Sequence, residues 1–265
     1  MIEKYTKQLK TLNLINCNEL NHWNTFFSKN FKITNKSKRL IIVKDEDTLK
    51  EENHKFINFI PNLKWCNLFN NKFETNNFLK NNDFDIKKIV KFEKPFFTYK
   101  KIITKPCNST GRYDFRIWEK GTLVETKVEN LVQDFLEGDE YNLDILKDKK
   151  NNVYVCAKKK LLIKAGTTFK CELSNDPKLI DLGKKLASLI PYVGNIDVDV
   201  IISNNKYYII DINPRLGGGF LHSVNLDINF KRNAINIFNN LNIVHKINNI
   251  YFNTKSQIEY NFIKI

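Results

Sequence analysis

The stretch GNIDVDVIISNNKYYIIDINPRLGGG, residues 194–219, decides the fold of this chain. Two apolar runs, 196–202 and 207–212, are separated by the polar residues 204–206. Apolar runs of this length joined by a short polar turn are typical of two antiparallel strands. The stretch therefore predicts a β-hairpin, which is followed by a proline, an arginine and three glycines.

The length of the turn decides which side chains share a face of this hairpin. With a three-residue turn at 204–206, Asp199 lies opposite Asp211 on the partner strand. Asp197 then lies opposite Asn213, so that all four side chains share one face. The apolar side chains share the other face: Val198, Val200, Ile202, Tyr208, Ile210 and Ile212. Because a two-residue turn would place the acids of the two strands on opposite faces, the pattern favours the odd loop.

The polar face of this hairpin predicts a metal site. Carboxylates that converge repel one another unless a cation lies between them, and hard oxygen ligands suit Mg²⁺, with Mn²⁺ as a second option. Beyond the hairpin, Arg215 offers a guanidinium fork for phosphate, and the glycines 217–219 let backbone N–H groups approach a ligand closely. The alternative, that the acids are solvated positions at a strand end, stays open for the hairpin taken alone.

The run from Asp199 to Gly219 resembles the metal-binding signature of the ATP-grasp superfamily. The resemblance is to the carboxylate–amine ligases similar to the large subunit of carbamoyl-phosphate synthase. It implies that Asp199, Asp211 and Asn213 hold two Mg²⁺ ions against the phosphates of ATP, and that Arg215 is catalytic. In that family the position of Asp211 is usually Glu, so this chain keeps the charge and shortens its reach.

Residues 131–144 resemble the strand that links the two subdomains of the same family. The resemblance implies that backbone groups at Phe135 and Leu136 meet adenine together with Asp134, and that Glu140 accepts hydrogen bonds from the ribose hydroxyls. The nucleotide-binding positions on this run are Gln133, Asp134, Phe135, Leu136 and Glu140. An exposed acidic turn between two strands is the alternative interpretation.

Two lysines and a loop resemble the parts of the family that bind the nucleotide and its phosphates. Lys72 begins a helix that runs to about Lys80, and an ordinary surface lysine is the alternative there. Lys105, followed by Pro106, matches the family's first nucleotide lysine. The loop 107–112 keeps one glycine where family members have two or three. Its implied phosphate contacts are Ser109, Thr110 and Gly111.

Three lysines alternate in the region that follows. Residues 152–158 and 161–164 are typical of two antiparallel strands, on which Lys158, Lys160 and Lys164 share a face. In the related proteins a basic residue near this point contacts the β and γ phosphates or the acyl-phosphate. Lys164 is the preferred catalytic candidate, and Lys160 is the second, as a nucleotide contact. Lysines that protect an edge strand from aggregation are the alternative.

Helix signals flank this core. Asp176 is an N-cap residue, Pro177 takes the first helical position, and leucines at helical spacing follow, so the pattern predicts a helix over 176–190. Residues 47–60 predict a second helix, with Asp47 near its N-cap, and residues 39–44 predict a short strand.

Composition excludes several classes of protein. The chain has 265 residues, 42% of them hydrophobic, which suffices for a sizeable core. Its five cysteines form no close pair, so neither a disulfide framework nor a zinc ribbon is expected. No apolar run reaches the length of a membrane span, which predicts a cytoplasmic protein. The net charge of +14 comes from scattered lysines, so we expect no specific nucleic-acid partner.

Together these features predict an α+β protein with the ATP-grasp fold, in which two subdomains clasp ATP. We expect a reduced α/β segment over 1–70 and an ATP-grasp domain over 71–265, with a small lobe at 71–144 and a large lobe at 145–265. The implied activity is a ligase that uses Mg-ATP to join a small-molecule carboxylate to an amine or ammonia through an acyl-phosphate, releasing ADP and phosphate. A homodimer stays open. The alternative is a non-catalytic module that binds a nucleotide or polyanion.

Overall fold

The computed structural model describes residues 13–14, 39–42, 45–55, 57–108, 114–164, 166–245 and 255–257. Its largest sheet consists of the strands β10 (Asp139–Lys147), β11 (Val153–Lys164), β12 (Thr167–Leu173), β13 (Gly194–Ser203), β14 (Lys206–Asn213) and β15 (Lys255–Gln257). This sheet is antiparallel and has the strand order β14-β13-β10-β11-β12-β15. Antiparallel sheets and separate helices make the fold α+β, as the sequence predicts.

One face of this sheet packs against helix α5 (Pro177–Leu189). Asp176 caps the helix by accepting a hydrogen bond from Lys178 N at 2.9 Å, and Pro177 takes its first position, which confirms the predicted start. The buried residues between the helix and the sheet include Leu143, Ala157, Leu179, Leu186, Val198 and Ile212. This core fixes the central strands β10, β11 and β13.

The hairpin β13–β14 is present, but its predicted three-residue turn is wrong. Asn204 and Asn205 form a two-residue turn with φ of 49° and 61°, and Ser203 pairs with Lys206. Asparagine tolerates this left-handed conformation, which a tight hairpin turn requires. The register then shifts between Asp199 and Val200, which pairs with Ile209.

This bulge has opposite effects on the two ends of the hairpin. The extra residue, Ile210, restores the predicted pairs Asp199–Asp211 and Asp197–Asn213 at the end of the hairpin far from the turn. Near the turn the alternation is reversed, because Tyr207 and Ile209, rather than Tyr208 and Ile210, pack in the core that contains α5. The Tyr208 side chain is also buried, outside this core. The acids therefore share a face because of the bulge at Ile210, and not because of the length of the turn.

The two strands predicted at 152–158 and 161–164 are one continuous strand. β11 runs unbroken from Val153 to Lys164 and pairs with β10 on one side and β12 on the other. Its pairing with β12 has register shifts around Leu162. These shifts interrupt the alternation from which a common face for Lys160 and Lys164 was predicted.

A second antiparallel sheet, with the order β4-β9-β6-β7, lies earlier in the chain. It consists of β4 (Ile89–Lys91), β6 (Ile102–Lys105), β7 (Arg116–Trp118) and β9 (Leu131–Asp134), and a small pair is formed by β5 (Phe96–Phe97) and β8 (Leu123–Val124). Two helices, α3 (Leu63–Asn70) and α4 (Lys72–Asn81), precede it. Asn71 caps α4 by accepting from Phe73 N and Glu74 N at 3.1 Å, as expected for a helix that begins at Lys72.

Strands β1 (Asn13–Leu14), β2 (Arg39–Ile41) and β3 (Ile57–Asn58) form a parallel sheet before these helices, which confirms the strand predicted at 39–44. The helix predicted over 47–60 is wrong: the region holds α1 (Asp45–Thr48), α2 (Glu51–His54) and β3. Lys50 adopts an extended conformation, with φ −83° and ψ 118°, which separates the two helical turns.

Two helices, α6 (Phe220–Leu226) and α7 (Ile228–Phe238), follow β14. They pack with Phe59, Leu146 and Cys156 on the face of the large sheet opposite α5. Asp227 caps α7 through Asn229 N and Phe230 N. Across the described residues, no helix has both the length and the apolar character needed to cross a membrane. The division of the chain at residue 71 stays a prediction.

Candidate functional site

One face of the large sheet is apolar at one half and polar at the other. Alternation along the four neighbouring strands brings nine polar side chains to this face, beside the part covered by α6 and α7. They are Glu140, Asn142, Asp144, Lys158, Lys160, Asp197, Asp199, Asp211 and Asn213. Partly buried charged groups that lie this close together need either partners of opposite charge or a bound ligand.

Asn142 lies at the centre of this face and was missed by the sequence analysis. Its Nδ2 donates to Asp197 Oδ1 at 2.6 Å and to Asp199 Oδ1 at 3.0 Å. Asn213 Nδ2 donates to the second oxygen of Asp197 at 3.0 Å. The two amides therefore keep the carboxylates apart without neutralising them. The polar alternation of residues 140, 142 and 144 was the signal that could have found Asn142.

Asp197, Asp199 and Asp211 form the acid group of this face. Asp197 is its buried member. Burial raises the pKa of Asp197 to about 7, and the neighbouring carboxylates of Asp199 and Asp144 act in the same direction. By contrast, the side chains of Asp199 and Asp211 are 21% and 28% exposed. The two exposed acids are thus the ones that a ligand can reach.

Lys160 joins the acid group to the end of β10. Its Nζ lies 2.7 Å from Asp199 Oδ1 and 2.7 Å from Glu140 Oε1, with only 5% of the side chain exposed. Burial opposes the charged form, but the two carboxylates outweigh it and raise the pKa of Lys160. A permanent cation therefore lies between the position predicted for ribose and a predicted metal ligand.

Lys72 and Lys105 approach the other side of the acid group. Lys72 N donates to Cys107 O at 3.0 Å, which fixes the start of α4 against the end of β6. Lys72 Nζ lies 3.7 Å from Asp211 Oδ1. Burial lowers the pKa of Lys105 to about 8, and only the attraction of Asp211 opposes this change. The structure therefore brings together the two lysines that the resemblance assigned to the nucleotide.

Arg215 does not present a free fork. Its Nε and Nη2 donate to the two oxygens of Asp45 at 2.7 and 2.6 Å. Nη2 also donates to Asn213 Oδ1 at 3.4 Å, and Nη1 donates to Leu216 O at 3.0 Å. Four of the five N–H groups of the guanidinium are thus engaged within the chain. No feature of the sequence indicated Asp45.

A buried ion pair supports the glycine-rich segment after β14. Lys158 is fully buried and donates to Asp144, to Ser223 and to Gly219 O, the last at 3.1 Å. Ser223 Oγ also donates to Asp144 Oδ2 at 2.6 Å. Because Lys158 bonds a backbone carbonyl of the segment, it ties the segment to the sheet.

Backbone proximity explains two of the glycines. A Cβ on Gly217 would lie 2.1 Å from Asp197 Cγ, and one on Gly219 would lie 2.9 Å from Asn142 Oδ1. The segment therefore covers the polar face at a distance that only glycine permits.

The residues predicted to bind adenine and ribose lie on β9 and just after it. Gln133 is buried and pairs with Ile89 and Ile103. The Phe135 N–H already donates to Lys101 O at 3.1 Å, so this group is not free for a base. Asp134 pairs with Lys100 Nζ at 2.6 Å, and Leu136 is partly exposed.

Lys164 is placed differently from the other predicted lysines. It is exposed at the end of β11, with Nζ 4.0 Å from the ring centroid of Phe169. Lys160, rather than Lys164, therefore lies among the acids. The predicted phosphate contacts Ser109, Thr110 and Gly111 lie outside the described residues.

The donor set fits Mg²⁺. Asp199 and Asp211 are paired across the hairpin, and both carboxylates are partly exposed. No three His, Cys, Asp or Glu side chains form a complete metal cage within the described ranges. This agrees with Mg²⁺ chemistry, in which one or two carboxylates, waters and substrate phosphates share the ion.

Comparison with protein families gives a match over residues 69–219 to the model of the ATP-grasp domain. No curated protein sequence matches the chain.

Solved structures share the fold at low sequence identity. An ATP-grasp superfamily protein from Archaeoglobus fulgidus has a TM-score of 0.63 and 14% identity, covering 96% of this chain and 100% of its own. The N5-carboxyaminoimidazole ribonucleotide synthetase of Thermotoga maritima has a TM-score of 0.66 and 11% identity, covering 89% and 77%.

The biotin carboxylase domain of the Hydrogenobacter thermophilus 2-oxoglutarate carboxylase was solved with MgADP and bicarbonate. It has a TM-score of 0.58 and 14% identity, covering 82% of this chain and 57% of its own.

Proposed function

Because this chain belongs to the ATP-grasp family, we propose that it is an ATP-dependent ligase that joins a small-molecule carboxylate to an amine or ammonia. The observation that carries the proposal is the convergence of Asp199 and Asp211 with three lysines at one end of the polar face. Carboxylates for a metal beside cations for phosphate are the arrangement that phosphoryl transfer from ATP needs. The MgADP and bicarbonate bound to the biotin carboxylase domain support this assignment.

The proposed reaction has two steps. An oxygen of the substrate carboxylate attacks the γ-phosphorus of ATP, the bond from that phosphorus to the β–γ bridging oxygen breaks, and ADP leaves. The amine nitrogen then attacks the carbonyl carbon of the acyl-phosphate, loses a proton and expels inorganic phosphate. Neither step needs a covalent bond to the protein.

Acidic and basic residues have different roles in this proposal. Asp199, Asp211 and Asn213 would hold Mg²⁺, which supplies charge neutralisation at the transferred phosphate. Lys72 and Lys105 stabilise negative charge at the phosphates from the β6 side, and Glu140 accepts hydrogen bonds from the ribose.

Lys160 takes the phosphate-binding role for which the sequence favoured Lys164, because Lys160 lies between Glu140 and Asp199. In this proposal the nucleotide lies between a small lobe at 71–144 and a large lobe at 145–265.

A screen with a chemical trap tests the proposal. Hydroxylamine attacks an acyl-phosphate and gives a hydroxamate. We expect one member of a carboxylate library, with Mg-ATP and hydroxylamine, to give ADP, phosphate and a hydroxamate in equal amounts. Tight binding of Mg-ATP without any of these products across the library would favour the non-catalytic nucleotide-binding module instead.

Glu140→Gln is expected to weaken the binding of ATP about tenfold and the binding of 2′-deoxy-ATP much less. A hydrogen bond to a charged acceptor contributes about 1.5–3 kcal/mol, and the deoxynucleotide lacks one of the two hydroxyls that the carboxylate would accept from. Calorimetry with both nucleotides measures the difference. Glu137→Gln, at an exposed acid three residues away, is the matched control and should change neither affinity. Equal losses for the two nucleotides would remove Glu140 from the ribose site.

The affinity for Mg-ADP is expected to fall about tenfold between pH 7.5 and pH 9.2. Burial lowers the pKa of Lys105 to about 8, so the free protein loses this ammonium as the pH rises through that value. A phosphate beside Lys105 favours the charged form, so binding takes up a proton above pH 8 and weakens by up to about tenfold per pH unit. Lys105→Arg stays charged at these pH values and should remove the slope. An unchanged slope in this variant would exclude Lys105 as its source.

A further inference from the structure

A bidentate ion pair at the edge of the site joins two parts of the chain that are far apart in sequence. Arg215 lies two residues after the end of β14, and Asp45 is the first residue of α1. Asp45 therefore lies outside the range 69–219 that matches the family. The pair is bidentate, and the side chains of Arg215 and Asp45 are only 15% and 12% exposed. Solvent therefore screens it little.

The geometry of the pair limits what Arg215 can do for a ligand. A guanidinium binds phosphate or carboxylate bidentately either through Nε and one Nη or through its two Nη atoms. Asp45 occupies the first of these edges, and Nη2 on the second edge also donates to Asn213 Oδ1 at 3.4 Å. Nη1 also donates to Leu216 O, which leaves one N–H of the guanidinium. A phosphate ion that approaches Arg215 therefore encounters a neutral ion pair, in which one N–H group of the guanidinium is left to donate to it.

We propose that Asp45 is a positioning residue that sets the anion affinity of the site by holding the fork of Arg215. The released phosphate then binds through Lys72 and Lys105, and Asp45 keeps Arg215 from retaining it. This inference rests on the proposed function, because it takes phosphate as the anion that the site must release.

Removal of the Asp45 charge tests the inference directly. Inorganic phosphate is titrated by calorimetry into protein saturated with Mg²⁺ and ADP. Asp45→Asn frees the fork by removing the carboxylate that holds it, so phosphate should bind about tenfold more tightly, while the affinity for ADP stays unchanged. Asp45→Glu keeps the charge and should restore the wild-type phosphate affinity. Glu46→Gln removes an exposed charge from the adjacent position and should change it less than twofold.

A neutral pair separates this role from a general effect of charge. Asp45→Asn combined with Arg215→Gln replaces the ion pair by two amides, and we expect phosphate affinity within threefold of the wild type. If the gain of Asp45→Asn persists without Arg215, or if Asp45→Asn binds phosphate no more tightly than Glu46→Gln, the inference is overturned. Should Asp45→Asn not fold, the neutral pair decides alone: a loss of more than tenfold would show that Arg215 itself binds the anion.

The failure of the proposed function has a different signature. Wild-type protein that does not bind Mg-ADP contradicts the nucleotide site. The same variants are then titrated with phosphate in the absence of nucleotide, where the order of affinities expected from the role of Asp45 is unchanged. Absence of that order overturns the inference as well.

Discussion

Asp211→Asn is expected to weaken the binding of Mg-ATP about 100-fold, or about 2.7 kcal/mol, and to leave the fold intact. Asp211 is one of the two acids at the hairpin that a ligand can reach, and its carboxylate also attracts Lys72 and Lys105. The substitution removes a charged oxygen ligand without a change in side-chain size. Calorimetry with a non-hydrolysable ATP analogue, with Mg²⁺ and with excess chelator, measures the effect.

The control for Asp211→Asn is Asp181→Asn, at an acid on α5 whose side chain is 76% exposed. It should bind the analogue as the wild type does. The difference between the Asp211→Asn and wild-type proteins should also disappear in the chelator. If Asp211→Asn keeps its affinity in Mg²⁺, the assignment of the metal site to this hairpin is wrong.

Gly217→Ala is expected to lower both the stability of the protein and its affinity for Mg-ADP. The added methyl group would lie 2.1 Å from Asp197 Cγ, so either Asp197 or the glycine-rich segment must move. Overpacking of this kind costs about 1–3 kcal/mol. Because Asp197 accepts from both Asn142 and Asn213, its displacement also disturbs the proposed metal ligand Asn213, and we expect a loss of more than tenfold in affinity.

Gly121→Ala provides the control for Gly217→Ala. A Cβ at Gly121 meets no atom within 4 Å, and its φ of +84° adds only backbone strain of about 1 kcal/mol. This variant should lose some thermal stability and bind Mg-ADP normally. Normal nucleotide binding by Gly217→Ala would show that Asp197 does not support the site.

The sequence predicted the parts of the site that depend on local pattern. Acids at 199 and 211 on two apolar runs indicate a polar hairpin face, and the cap at Asp176 indicates the helix that packs beneath it. The hairpin also shows the limit of this reasoning, since the correct pairing of the acids arises from a two-residue turn combined with a bulge at Ile210. Periodicity alone does not distinguish that combination from a longer turn.

Contacts between segments that are far apart in the chain could not be predicted from the sequence. Arg215 was predicted to offer a free fork because nothing near it in the chain indicates a partner, and Asp45 is 170 residues away. Lys158 and Lys160 follow the same alternation but meet different surroundings, a buried ion pair in one case and the acid group in the other. Only the packing of the fold decides such differences, because burial and neighbouring charges depend on it.

The fate of one oxygen atom tests the proposed reaction most directly. With the carboxylate found by hydroxamate trapping, labelled with ¹⁸O in its carboxyl group, turnover through an acyl-phosphate transfers one labelled oxygen to inorganic phosphate, because the C–O bond breaks when the amine attacks. Mass spectrometry should therefore find one ¹⁸O in each phosphate released, and ADP without label. Label in AMP, with pyrophosphate as the second product, would show adenylation of the carboxylate and contradict the proposed ligase mechanism.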